Sequence, residues 1–280
     1  MLDLHGVSIV PLVSYGRSGS TVFMKALKAL GCSVHGGAPY EDRTCQMALL
    51  SHLAGLGGLS SIHDSALSVG DVLAKNAFFN SHLISVGSSP FVEFFPHFSA
   101  FAKQLAETGT SLIAEKFIGV DLLQASVGFL PNGQLRPILL QRDPRDIFLS
   151  VKGFNAKRGY RSFNDVGDDE MLFRIICAFA RQLQVISSNL ESCLVFYEDL
   201  VKSPSVVIDS IARFLGIESS ADLIAETVSA IQPRSESDLQ HMTSNSISST
   251  VKRWETQASP EYRAIFEKHD DKLSSISRYV

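Results

Sequence analysis

Four short apolar runs punctuate the chain, Ser8 to Val13, Ser111 to Ala114, Pro137 to Gln141 and Cys193 to Tyr197, each of a length that suits a buried strand. Segments with helical spacing separate them. Phe23, Ala26, Leu27 and Leu30 share one face of a helix that Gly31 can end. Asp143-Pro144 offers an N-cap and a first-turn proline to the next helix, and Ser203-Pro204 does the same for the one carrying Val207, Ile208, Ile211, Phe214 and Leu215. Leu172, Ile175, Ile176, Phe179, Leu183 and Ile186 mark a further long helix. Strands alternating with helices predict an α/β fold with a mainly parallel central sheet covered on both faces, and ligands outside the carboxyl ends of the strands. Pro11 lacks a ladder donor, so strand pairing is expected to begin near it.

Two stretches break the alternation. From Gln46 to Ala102 only Asp64, Asp71, Lys75 and Glu93 are charged, which predicts a helical insertion, about residues 45–107, that forms ordinary core or lines an apolar cleft. From Ser235 to Thr250 the run SESDLQHMTSNSISST has little to bury and reads as a mobile loop. No repeat is visible, and one domain over 1–280 is expected.

Composition narrows the partners. A formal charge of −4 over 280 residues gives no basic footprint for nucleic acid or anionic membrane, so an anion site must be built locally. Cys32, Cys45, Cys177 and Cys193 show neither zinc-ligand spacing nor disulfide density, and no acidic cluster suggests a metal. The amino terminus lacks a basic leader, and its apolar run is too short to span a bilayer. A reduced, cytoplasmic setting without a transmembrane segment is expected; oligomeric state is left open.

SYGRSGST, Ser14 to Thr21, joins the first strand to the first helix. Its small residues Gly16, Ser18, Gly19 and Ser20 expose backbone N–H groups at the positive end of a helix, which suits an anion; a tight strand-to-helix connection is the other reading. The pattern G-x-x-x-x-G-K-[ST] is not met, because Thr21 stands at its second glycine, and Arg17 brings the charge instead of a lysine. Arg142 ends an apolar strand, where a planar cation can meet a phosphate bidentately, and Ser150 on the following helix can add a hydroxyl. The alternatives are a salt bridge from Arg142 to Asp143 or Asp146, and a surface position for Ser150.

GRSGST before a helix resembles the 5′-phosphosulfate loop of sulfotransferases that use 3′-phosphoadenosine-5′-phosphosulfate (PAPS), and three further blocks agree in order. LLQRDPRDIFLSV resembles the family's 3′-phosphate strand, turn and helix; FYEDLVKSPSVVIDSIARFLGI resembles its later strand and helix, and VKRWETQASPEYRAIFEKHDDKL its carboxyl-terminal segment. The resemblance implies a three-layer P-loop NTPase-like fold. It implies PAPS as co-substrate without a metal, and transfer of a sulfonate to a hydroxyl of a carbohydrate or small-molecule acceptor. It places Gly16, Arg17, Ser18, Gly19, Ser20, Thr21, Arg142 and Ser150 at the cofactor. Tyr197 either sits near the adenine or packs under the sheet edge. Lys252 and Arg253 either close over the 3′-phosphate or form a solvated pair.

GGAPYED resembles the segment of bacterial carbohydrate sulfotransferases that carries the base, which maps that role to Glu41; the alternative pairs Glu41 with Arg43. AEKFIG, where cytosolic members carry a histidine, has none, although His35, His63, His82 and His97 lie elsewhere in the acceptor region. Lys116 either touches the sulfonate or acceptor, or pairs with Glu115. Arg145 is expected to bond Asp146 or a nearby carbonyl. Two other functions remain open at this level: a nucleotide-kinase-like phosphotransferase, and a nucleotide-binding protein without catalysis.

Overall fold

The computed structural model describes residues 4–34, 102–109, 111–117, 120, 123, 127, 130, 133–232 and 248–278. Its centre is a five-stranded sheet in the order β2-β3-β1-β4-β5, with every pair parallel. The strands are β1 (Ser8–Ser14), β2 (Ser33–Val34), β3 (Leu112–Phe117), β4 (Ile138–Gln141) and β5 (Cys193–Phe196). The four apolar runs are thus all strands; β2 has only two residues, too few to leave a pattern.

Helix α1 (Ser20–Ala29) follows β1, α2 (Pro144–Arg158) and α3 (Asp169–Asn189) follow β4, and α4 (Tyr197–Lys202), α5 (Pro204–Leu215) and α6 (Ala221–Ala230) follow β5. A short 3-10 turn at Ser248–Thr250 leads to α7 (Arg253–Gln257), α8 (Pro260–Lys268) and α9 (Asp270–Ile276). Alternation along β1 sends Val10 and Leu12 into one apolar cluster with α1 and α5, while α2, α3, α8 and α9 build a second around Phe148, Phe173 and Phe266. Among the described residues no helix is long and apolar enough to cross a membrane. The expected insertion, about 45–107, lies outside the described residues except for 102–107.

Pairing does not begin at Pro11. β1 pairs with β3 from Ser8 straight through Pro11, but joins β4 only from Leu12. Ile9 shows why. Its N–H donates to Gln134 O and its carbonyl accepts from Arg136 N, so alternate β1 residues, Pro11 included, present their backbone to the β4 flank. The absent donor falls between the Ile9–Leu135 bridge and the start of the β4 ladder, and costs the β3 ladder nothing.

The two proline starts differ. Asp143 caps α2 as expected, its carboxylate accepting the Arg145 N–H at 2.9 Å. Ser203 makes no side-chain cap; its N–H closes α4 on Asp199 O. Arg145 bonds neither Asp146 nor a carbonyl as its main partner. Its Nε and Nη2 meet Asp143 at 3.0 and 2.6 Å, both groups buried, and its guanidinium lies 3.7 Å from the Trp254 ring. Ser277 joins them, donating to Asp143 at 2.7 Å. Asp143→Ala removes a cap and strips a buried cation of its carboxylate, so urea unfolding should show a loss of about 3–5 kcal/mol; a loss below about 1 kcal/mol would refute this role.

Candidate functional site

The carboxyl ends of β1, β3, β4 and β5 bring together the turn after Ser14, Lys116, Arg142 and Tyr197. The turn is shaped by Arg17 at φ 70° and Gly19 at φ 94°. Gly19 is the N-cap of α1 and has no side chain to accept from the first-turn N–H groups, and no acid stands in that turn. Without a cap or an acid there, the start of α1 is left electropositive, which suits an anion. Lys116 Nζ donates to the Thr21 hydroxyl at 3.1 Å, which brings a second charge to the start of α1. Strand alternation sends Glu115 to the opposite face from Lys116.

The glycines also answer to neighbours remote in sequence. A Cβ on Gly16 would overlap the Phe163 ring, and one on Gly19 the Tyr197 ring. Ser18 turns inward; it is 1% exposed and lines a water-sized cavity of about 10 Å³ with Tyr15, Gln141 and Arg142. Its hydroxyl has no partner among the described residues.

Arg142 forms no salt bridge to Asp143 or Asp146. Nη1 donates to Arg17 O at 2.9 Å and Nη2 to Thr250 O at 2.5 Å, with the guanidinium 4.7 Å from the Tyr197 ring. Its Nε is buried without a partner among the described residues, and Ser150, far from being a surface residue, is 2% exposed on α2. Tyr197 packs beneath the edge, its hydroxyl 3.0 Å from Thr250 Oγ1.

The basic pair divides. Arg253 is buried, with Nε on Gln257 at 3.0 Å, while Lys252 is half-exposed and paired with Glu255 at 3.2 Å. Asp146 fixes the backbone of this segment, accepting from Lys252 N at 2.7 Å and Trp254 N at 3.2 Å. Of the Ser-rich run, 235–247 lies outside the described residues, and Ser248–Thr250 forms the 3-10 turn tied to Arg142 and Tyr197. Glu41, Arg43, His35, His63, His82 and His97 also lie outside the described residues.

Guanidinium groups crowd this edge. Burial, and then repulsion from Arg142, Arg253 and Arg158, together lower the Arg17 pKa to about 10. Burial and Arg142 lower Arg253 as well, against the pull of Asp146. Burial raises the Asp146 carboxyl despite nearby Arg142. A concentration of buried guanidinium groups beside an open helix N-terminus, with Arg142 Nε unpartnered, fits a ligand carrying two separated anionic groups. Sequence reasoning missed Glu198, which is 1% exposed and accepts the Asp143 N–H at 2.8 Å, and whose pKa burial raises to about 7. Its place directly after Tyr197, in a run otherwise typical of a helix start, gave no sign of burial.

A protein-family model described as "Sulfotransferase domain" matches residues 9–274. Solved structures of similar fold include the sulfotransferase domain from the curacin biosynthetic pathway, at TM-score 0.55 and 15% identity over 94% of this chain and 98% of that one. The sulfotransferase domain from the Synechococcus PCC 7002 olefin synthase aligns at TM-score 0.54 and 18% identity, over 94% of each chain. Mouse sulfotransferase SULT7A1 complexed with PAP aligns at TM-score 0.51 and 13% identity, over 98% of this chain and 89% of that one. No curated protein matches the sequence.

Two outcomes follow from this geometry. Gly19→Ala must both hold a positive φ and displace the Tyr197 ring, so thermal unfolding should show a loss of about 1–3 kcal/mol; an unchanged midpoint would remove the packing role. Glu198 holds its proton more tightly folded, at about 7, than at the ordinary 4.5. The folded state therefore binds more protons between those values, and stability from this group falls as pH rises from about 4.5 to 7. Glu198→Gln should flatten that part of the stability curve and raise the midpoint at pH 8; a curve parallel to wild type would refute it.

Proposed function

Since the chain belongs to the sulfotransferase domain family, we propose that it moves a sulfonate group from PAPS to a hydroxyl of a carbohydrate or small-molecule acceptor and releases adenosine 3′,5′-bisphosphate (PAP). The observation that carries the reading is the gathering of Arg17, Arg142 and Arg253 beside the open N-terminus of α1. A donor with one anionic end at its 5′ side and a phosphate at 3′ would offer an anion to each part of that edge.

In this reading the first-turn amides of α1 around Gly16 to Thr21, with Arg17 and Lys116, receive the 5′ phosphosulfate. Arg142, Ser150 and Arg253 receive the 3′-phosphate, and Tyr197 supports Arg142 from below. The acceptor oxygen attacks sulfur in line as the bond from sulfur to the phosphate oxygen breaks, and Glu41 takes the hydroxyl proton. Negative charge then grows on the departing phosphate, where the amides, Arg17 and Lys116 stand before the reaction begins. Lys252, paired with Glu255 at the surface, is left as the outer edge of the 3′ site.

Calorimetry tests the donor. Charged hydrogen bonds are worth about 1.5–3 kcal/mol each, so PAP should bind on the order of tenfold or more tighter than 5′-AMP, and Arg142→Ala should erase most of the gap. Equal affinities would overturn the 3′ assignment. Glu41→Gln should leave PAP affinity near wild type and lower sulfonate transfer by about 10²–10⁴-fold, measured with isotopically labelled PAPS. Turnover within a few-fold of wild type would place the base elsewhere.

A further inference from the structure

Resting on that reading, we propose that Arg158 and the connection following it form an acceptor subsite that takes an acid group carried on an apolar body, so that the acceptor is a hydroxyl-bearing organic acid. The Phe154 ring has two guanidinium groups over it, Arg17 at 4.5 Å and Arg158 at 5.3 Å. One ring thus joins the anion-binding turn to the end of α2. The two cations repel each other, as the lowered Arg17 shows, and Arg158 has no acid partner among the described residues. A cation in the last turn of α2 complements the helix dipole, but Lys157 does that equally. The dipole does not account for stacking Arg158 on the ring that Arg17 uses.

The connection after Arg158 is anchored to the turn at some cost. Phe163 at φ 57° and Asn164 at φ 62° are consecutive left-handed positions without glycine, a strained backbone that the surrounding contacts must hold. Tyr15 OH holds Phe163 O at 2.7 Å, Asn155 Nδ2 holds Asp165 at 3.0 Å, and the Phe163 ring lies on Gly16. This strap leaves Tyr160, two residues after Arg158, 56% exposed, and Val166, whose carbonyl accepts from Arg161 at 3.2 Å, 64% exposed. Exposed apolar side chains next to an exposed cation, fixed against the sulfonate-binding turn, match an amphipathic acid. Arg142 and Arg253 are buried where Arg158 is exposed, so Arg158 is open to a ligand arriving from solvent.

The test titrates a matched pair, 4-hydroxyphenylacetate and 2-(4-hydroxyphenyl)ethanol, into the PAP complex of wild type, Arg158→Ala and Arg158→Lys. PAP affinity, measured first in each, should agree within about twofold. The acid should bind wild type about fivefold tighter than the alcohol, in keeping with one exposed charge pair, lose that preference in Arg158→Ala and keep part of it in Arg158→Lys. Equal binding of the pair to wild type, including no binding of either at millimolar concentration, overturns the subsite, as does a preference that survives in Arg158→Ala. A tenfold loss of PAP affinity in Arg158→Ala also overturns it, by moving Arg158 to the donor. Failure of wild type to bind PAP at all would instead sink the donor reading on which the subsite stands.

Discussion

Like charges gathered in a poorly solvated edge repel strongly, and the architecture around Arg17, Arg142 and Arg253 is the answer to that repulsion. Carbonyl oxygens and aromatic faces are part of the remedy. Arg142 is held by two carbonyl oxygens and the face of Tyr197, and Arg17 by the face of Phe154. Such partners position a cation without cancelling its charge. Asp146, an acid close to Arg142, spends its oxygens on the backbone of Lys252 and Trp254. An anion bound at this edge would meet cations already in place and relieve their mutual repulsion, and so would stabilise the folded chain.

A second layer keeps the first in register. Asp143 is the hub. It caps α2, grips Arg145, accepts from Ser277 after α9, and lends its own N–H to Glu198 after β5. Gln141, one residue before Arg142, donates to Ile276 O at the end of α9. The strand that ends at Arg142 is thereby tied to segments more than fifty residues downstream. Burying so many charged groups is costly unless each is bonded, and here the bonds all converge on the residue beside Arg142.

How much of this could be read from the sequence depends on how local each cause is. The four apolar strands, the αL turn at Gly31 and the Asp143 cap are consequences of a few adjacent residues, and they stood in the pattern. So did the approach of the turn, Lys116, Arg142 and Tyr197 to one sheet edge, since parallel strands deliver their carboxyl ends together. What escaped was decided across the fold. Arg145 chose Asp143 because Trp254 arrives to cover it; Arg253 went inside and Lys252 outside because Asp146 fixes the backbone between them. Ser150 is buried because α2 is covered nearly all around from Pro144 to Val151, so it has no solvent face to betray in its periodicity. Pro11 in a central strand became legible only with the register of β4.

The contacts of Gly16 with Phe163 and of Gly19 with Tyr197 bear on how such sequences drift. Each glycine has been made small by an aromatic ring nearly 150 or more residues downstream, and each ring has been made possible by the glycine. Neither member of a pair is free to change first: a larger residue in the turn meets the ring, and a smaller residue in place of the ring opens a hole beside the turn. Single substitutions at these positions therefore pass through a less stable intermediate, and the turn and two rings far along the chain are constrained as one unit although only van der Waals contact joins them.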